Sequence, residues 1–248
     1  MTINKIYNEP ALITLNRIPS NSIIDGIITS PPYNINTKRN DNYYNNGYSE
    51  HDGLSEENYL SLRLSEFMEF DRVLKKGGVI CYNISYSKDN PILPILLVSE
   101  VHNKTNLTLV DIISWKKNVS MPLQSSSNRL SRIVELIYIF VHKDEIETFK
   151  ANKIISKINE RTGQRFYKKY VNYIEAKNND GFKCKLKASY SQELCDKLIE
   201  IYFPPNSLIY DPFTGIGTTQ LSCIRNGCNY LGSELIQETY EIAINRLK

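Results

Sequence analysis

The sequence predicts an α/β fold built on a doubly wound, mostly parallel sheet, and three observations carry that prediction. Six runs rich in β-branched or aromatic residues recur along the chain, IIDGIIT, GGVICYNIS, DIISWKK, RIVELIYIFVH, SLIYDPF and NYLGSEL, each bounded by turn residues. A helical stretch fills the gap between the first two. A glycine turn followed by a second helical stretch comes directly after SLIYDPF.

The first strand, around Ile27 and Ile28, runs into TSPPYN. Proline cannot donate to a sheet ladder, so Pro31 and Pro32 end the strand and fix the backbone just beyond its carboxyl end. In open α/β sheets ligands bind there. The polar segment from Asn34 to Gly53, with Tyr43, Tyr44 and Tyr48 among asparagines, has no clear periodicity and is expected to be a mobile loop over the site. In SEENYLSLRLSEFMEFDRVLKKGG, Leu60, Leu64, Phe67 and Leu74 share one helical face; Ser55 is the expected cap and Gly77 and Gly78 the expected end. Strand, helix and strand with a short exit imply a parallel crossover.

Composition narrows the class. No apolar run reaches the roughly 18 residues of a membrane span, so the expectation is a soluble, cytoplasmic protein with no membrane partner. The five cysteines form no C-x-x-C pair, and His51, His102 and His142 lack metal-ligand spacing, so neither disulfides nor a metal site are expected. Net charge is only +3, yet residues 143–187 hold twelve Lys or Arg against six Asp or Glu. Such a segment is either a solvated surface or a face for nucleic acid.

The second landmark is SLIYDPFTGIGTTQLSCIRNGCNYLGSEL. The strand runs into Asp211, and Gly215 and Gly217 let the backbone turn tightly toward a ligand before a helix starts at TTQLS. The next strand ends in Glu234, whose carboxylate can accept hydrogen bonds from a ribose diol. No third glycine of a pyrophosphate fingerprint and no Gly-Lys-Thr follow. An adenosyl cofactor without phosphates fits this turn better than a dinucleotide or a nucleoside triphosphate.

With TSPPYN at 29–34 preceding DPFTGIGTT at 211–219, the chain resembles the DNA amino-methyltransferases of the permuted β class, including those of restriction-modification systems. DRVLKKGGVICYN and SWKK with RIVELIYIFVHK are similar to the central strands of that family. Leu186, Lys187 and Ser191 stand where the family usually has His-Pro and a second Pro.

The resemblance implies a Rossmann-like class I methyltransferase fold, circularly permuted, with about seven strands and a small target-recognition insert. Residues 1–142 would be the catalytic half, 143–187 the insert and 188–248 the cofactor-binding half. It implies S-adenosyl-L-methionine as cofactor, held by Asp211, Phe213, Gly215, Gly217, Thr218, Thr219 and Glu234. Ser30, Pro31, Pro32 and Tyr33 would form the catalytic motif, and Arg161, Arg165, Lys168 and Lys169 would contact DNA. Implied partners are double-stranded DNA and a cognate restriction endonuclease or companion methyltransferase, with the protein itself a monomer or homodimer.

The chemistry follows from the residues. An exocyclic amino nitrogen is a poor nucleophile because its lone pair is delocalised into the ring. Acceptors for both amino hydrogens help it pyramidalise, and the Ser30 hydroxyl and Pro31 carbonyl are the candidates. Tyr33 offers the extruded base a stacking face. Ser-Pro-Pro-Tyr in the resembled family goes mostly with N4-cytosine, so cytosine is favoured over N6-adenine. A non-catalytic DNA-binding regulator with the same fold is the alternative of another class. Trp115 is expected in the core. Glu135 is a carboxylate in an apolar strand that needs a partner, and the expectation is a structural role.

Overall fold

The computed structural model describes residues 2–20, 23–34, 53–86, 90–120, 130–151, 155–182 and 190–248. Most of the expected loop from Asn34 to Gly53, together with His51, Leu186 and Lys187, lies outside the described residues.

The chain begins with β1 (Lys5–Tyr7), α1 (Ala11–Asn16), β2 (Ile24–Thr29), α2 (Glu56–Val73) and β3 (Leu74–Ile84). It continues through α3 (Leu93–Lys104), β4 (Leu107–Lys117) and β5 (Val134–His142), then β6 (Ile155–Ile158), β7 (Arg165–Tyr167) and β8 (Tyr173–Ala176). The last part is α4 (Gln192–Tyr202), β9 (Leu208–Asp211), α5 (Thr218–Arg225), β10 (Asn229–Ser233) and α6 (Gln237–Arg246).

Eight strands form one sheet in the order β1-β10-β9-β2-β3-β5-β4-β8. All neighbours are parallel except at β5, which runs antiparallel to both β3 and β4. The doubly wound, mostly parallel sheet is therefore as expected, with eight strands in place of about seven. From β2 the chain winds outward to β3, whereas from β9 it winds the other way to β10. The boundary between β2 and β9 is thus the switch point, where carboxyl ends open a crevice.

Both faces of the sheet are covered, which is why its strands read as nearly continuous apolar runs. Ile27, Ile80 and Tyr82 pack with α1, α2 and α3, while Ile28, Val79 and Cys81 pack with α4 and α5. Trp115 is in the core as expected, its ring nitrogen donating to the Ala176 carbonyl at 3.2 Å.

Ser55 caps α2 as expected, its hydroxyl accepting the Asn58 amide at 3.2 Å. The helix does not continue to Gly77 and Gly78. It stops at Val73, because Leu74 is already extended (φ −68°, ψ 133°), buried and paired with Ile24. The two glycines instead sit in a bulge of β3, between the Ile24–Leu74 and Gly26–Val79 pairs, where Gly77 has φ +78° and donates its amide to Glu145 Oε1 at 2.5 Å.

Residues 143–187 divide their roles. β6 and β7 form a separate, wholly exposed antiparallel pair, whereas β8 joins the main sheet parallel to β4 and buries Ile174 and Ala176.

Candidate active site

The site assembles at the switch point from two strand ends. β2 ends at Thr29, whose side chain is fully buried and donates to Asp211 Oδ1 at 2.8 Å, so the start of the Ser30 to Tyr33 segment is tied to the last residue of β9. Asp211 also accepts from Thr219 Oγ1 at 2.5 Å, from the Phe213 amide at 3.0 Å and from the Tyr190 hydroxyl at 3.2 Å. Burial raises its carboxyl pKa, and these donors oppose the rise. With four hydrogen bonds already accepted, Asp211 is an organiser of the turn.

Beyond β9 the turn uses its glycines in two ways. Gly215 (φ +56°) donates its amide to Glu234 Oε2 at 2.9 Å. Gly217 (φ +83°) precedes α5, and a Cβ there would stand 3.3 Å from the Cβ of Ala243 on α6. The missing side chain thus makes room for helix packing and permits the left-handed turn. Glu234 is buried and also accepts the Ile236 amide through Oε1 at 2.9 Å. Thr218 Oγ1 donates to Asp180 Oδ2 at 3.3 Å, and Arg246 bonds the same oxygen at 3.0 Å, closing the turn from the side of α6.

The Ser30–Tyr33 segment is held on its other flank by β3 and β5. Ser30 Oγ and the Tyr33 hydroxyl are 2.8 Å apart. The Tyr33 hydroxyl lies 2.8 Å from Asn83 Oδ1 and 3.3 Å from Glu135 Oε2. Glu135 is ion-paired to Lys117 with both side chains largely buried. Burial, with the Glu135 carboxylate adding to it, holds the Tyr33 phenol pKa well above its ordinary value. The Pro32 carbonyl accepts from the Tyr59 hydroxyl at 2.8 Å.

The structure thus brings Ser30–Tyr33 and the Asp211–Thr219 turn together through Thr29. The four basic candidates sit elsewhere, all exposed, on or beside the β6–β7 pair: Arg161 in its turn, Arg165 on β7, Lys168 and Lys169 just after it. Lys168 is already ion-paired with Glu200. Glu135 has the partner its burial requires in Lys117, and its other oxygen reaches the Tyr33 hydroxyl. Asn83, Tyr59 and Tyr190 were not singled out from the sequence. Asn83 alone left a trace there, as a polar side chain inside VICYNI. Among the described residues no cluster of His, Cys, Asp or Glu could hold a metal ion, and no helix is long and apolar enough to cross a membrane.

The geometry suits an adenosyl ligand at the carboxyl ends of β9 and β10. Glu234 is the acceptor at the expected strand end, and a carboxylate oxygen that takes one backbone amide can accept a second hydrogen bond.

Comparison with known proteins agrees. Residues 24–245 match the family of DNA methylases that act on N6 and N4 amino groups. The chain is 24% identical to the type II methyltransferase M.BglII of Bacillus subtilis, covering 97% of this chain and 68% of that protein. It is 27% identical to M.BamHI of Bacillus amyloliquefaciens, covering 99% of this chain and 57% of that protein. Among solved structures, the cytosine-N4-specific PvuII DNA methyltransferase superposes with a TM-score of 0.76 at 20% identity, over 100% of this chain and 87% of that one. The complex of M1.HpyAVI with S-adenosyl-L-methionine gives 0.64 at 22% identity, over 98% of both chains. The chain belongs to the N6/N4 DNA methylase family, the amino-methyltransferases that take their methyl group from S-adenosyl-L-methionine.

Proposed function

We propose that this protein methylates the exocyclic N4 of a cytosine extruded from duplex DNA, as the modification enzyme of a restriction-modification system. The observation that carries the reading is the Ser30 hydroxyl at the carboxyl end of β2, bonded to Tyr33 and tied through Thr29 to the glycine turn. When bound, S-adenosyl-L-methionine supplies an electrophilic methyl group on a sulfonium.

The chain's own residues then position the nucleophile. Ser30 Oγ and the Pro31 carbonyl accept the two amino hydrogens, which localises the nitrogen lone pair as the nitrogen pyramidalises. Tyr33 carries the face on which the extruded base stacks. Asp211 and the Gly215 and Gly217 backbone shape the cofactor cradle, Phe213, Thr218 and Thr219 line it, and Glu234 takes the ribose. No strong base is required, because the methylated amino group is cationic and sheds a proton readily. In-line positioning supplies most of the rate.

Residues 143–187 act as the recognition insert, with Arg161, Arg165, Lys168 and Lys169 on phosphates. Cytosine is favoured by the Ser-Pro-Pro-Tyr motif, and the likeness to a cytosine-N4-specific structure agrees with it. Mass spectrometry of nucleosides from DNA incubated with the protein and S-adenosyl-L-methionine tests the reading. N4-methylcytosine is expected; N6-methyladenine alone would overturn the choice of base, and no methylated base at all would overturn the activity.

A further inference from the structure

The oxygens around Tyr33 settle which way the catalytic serine's proton points. Tyr33 has a single hydroxyl proton and three oxygen neighbours: Ser30 Oγ at 2.8 Å, Asn83 Oδ1 at 2.8 Å and Glu135 Oε2 at 3.3 Å. Asn83 cannot present its amide to Tyr33, because its Nδ2 donates to the Leu136 carbonyl at 3.1 Å, which turns Oδ1 toward the phenol. Glu135 faces the phenol as an acceptor, since Lys117 donates to its other oxygen in an ion pair. If the Tyr33 proton went to Ser30, two acceptor oxygens would face the phenol oxygen with no proton between. The Tyr33 proton therefore goes to Asn83 and Glu135, and the 2.8 Å contact with Ser30 requires Ser30 to be the donor.

We propose that Asn83 and Glu135, the latter anchored by Lys117, are positioning residues that take the proton of Tyr33 and thereby turn the Ser30 proton inward, leaving the serine lone pairs to accept the amino hydrogen of the target base. This rests on the reading of Ser30 as that acceptor. A serine hydroxyl alone rotates freely and can present either its proton or its lone pairs. The chain of oxygens removes the wrong orientation before the base arrives. Tyr33 is protonated throughout, consistent with the raised pKa of its buried phenol. The tyrosine then has two separable parts, a ring for the base and a hydroxyl for the serine.

The test uses Tyr33→Phe, which keeps the ring and deletes the hydroxyl, assayed by methyl transfer to unmethylated bacterial genomic DNA. The expected result is a kcat lowered roughly ten- to hundredfold with the dissociation constant for S-adenosyl-L-methionine within about twofold of wild type. In a Ser30→Ala background the same change should add no more than about twofold, because the group it orients is gone. Wild-type kcat in Tyr33→Phe beside a slow Ser30→Ala would overturn the inference and leave the acceptor reading standing. Wild-type kcat in Ser30→Ala would overturn the acceptor reading, and the inference with it. Should Tyr33→Phe lose cofactor affinity, Asn83→Leu and Asn83→Asp decide: loss in Leu with recovery in Asp, which keeps an acceptor, supports the inference, and equal losses overturn it.

Discussion

Thr29 and Asp211 lie 182 positions apart in sequence, and their side chains meet at 2.8 Å, fully buried, where β2 and β9 end side by side. This bond joins the strand that leads into Ser30–Tyr33 to the strand that leads into the glycine turn. Replacing Thr29 with Val keeps the shape and removes the donor, leaving Asp211 with one fewer partner in a buried site. The loss should be about 1–2 kcal/mol, lowering Tm by roughly 2–8 °C. Because the bond spans both halves of the site, calorimetry should also show weaker binding of S-adenosyl-L-methionine. A Thr29→Val protein with unchanged Tm and unchanged affinity would show that the two motifs are held together by other contacts.

Gly217 is expected to tolerate no side chain, for a reason different from a ligand lying against it. Its φ of +83° disfavours any L-residue, and a Cβ would press on Ala243 at 3.3 Å. Gly217→Ala should therefore cost about 1–2 kcal/mol in stability, and Gly217→Asp more, abolishing S-adenosyl-L-methionine binding because the turn itself is displaced. Adding Ala243→Gly should relieve the crowding and leave the backbone cost, so that thermal melts show only partial recovery. Complete recovery would mean that the left-handed turn costs nothing here.

How legible this molecule is from its sequence follows from the range of its interactions. The central strands can be read because burial on both faces demands long apolar runs, and the two site motifs because proline and glycine carry their backbone consequences locally. β1 has only three residues, Lys5–Tyr7, and shows no period; it forms because β10 offers it an edge. β8 lies in a basic stretch, and only the alternate burial of Ile174 and Ala176 against β4 makes it a strand. α2 ends earlier than its glycines imply, because glycines are the usual stop whereas here the sheet captures Leu74 first. Ser30, Phe213 and Thr219 reach Tyr33 and Asp211 from within the same motifs, but Asn83, Glu135 and Thr29 reach them from 50, 102 and 182 positions away, so no local pattern announces those three.

The basic hairpin should reveal itself in salt dependence. Neutralising Arg161 and Arg165 to Gln should weaken binding to cognate and random duplexes alike and lower the log–log salt slope by roughly one to two units. Lys168→Gln alone should change the slope less, since Glu200 already offsets its charge. Fluorescence anisotropy over a salt series reads both. An unchanged slope in the double arginine variant would move DNA contact away from β6 and β7.

Glu234 has two duties that substitution can separate. Its oxygens hold the amides of Gly215 and Ile236 at 2.9 Å each, so the carboxylate shapes the turn in addition to any bond with a ribose. Glu234→Ala should weaken S-adenosyl-L-methionine by roughly 1–3 kcal/mol and also lower Tm. Titration against the cofactor and against methionine alone distinguishes the two effects, because methionine lacks the ribose. Loss for the cofactor with methionine unaffected would assign Glu234 to the ribose, and equal losses would assign it to the turn.

Arg63 and Glu66 form an ion pair at 3.1 Å on the buried face of α2, with Arg63 stacked 4.9 Å from the Phe213 ring. Burial raises the Glu66 pKa from 4.5 to about 7, outweighing the opposing attraction of Arg63. A carboxyl that holds its proton more tightly when folded contributes stability that is complete below its unfolded pKa and is lost as pH rises through the folded one. Urea melts should therefore show wild type losing stability between about pH 5 and pH 7 relative to Glu66→Gln, which mimics the protonated acid and cannot ionise. Because the comparison is between two proteins differing at this one group, other titrating residues cancel. The curves should converge at low pH and separate above it, with Glu66→Gln the more stable at pH 8. Separation in the opposite sense would show that the charged pair with Arg63 outweighs the burial of its carboxylate.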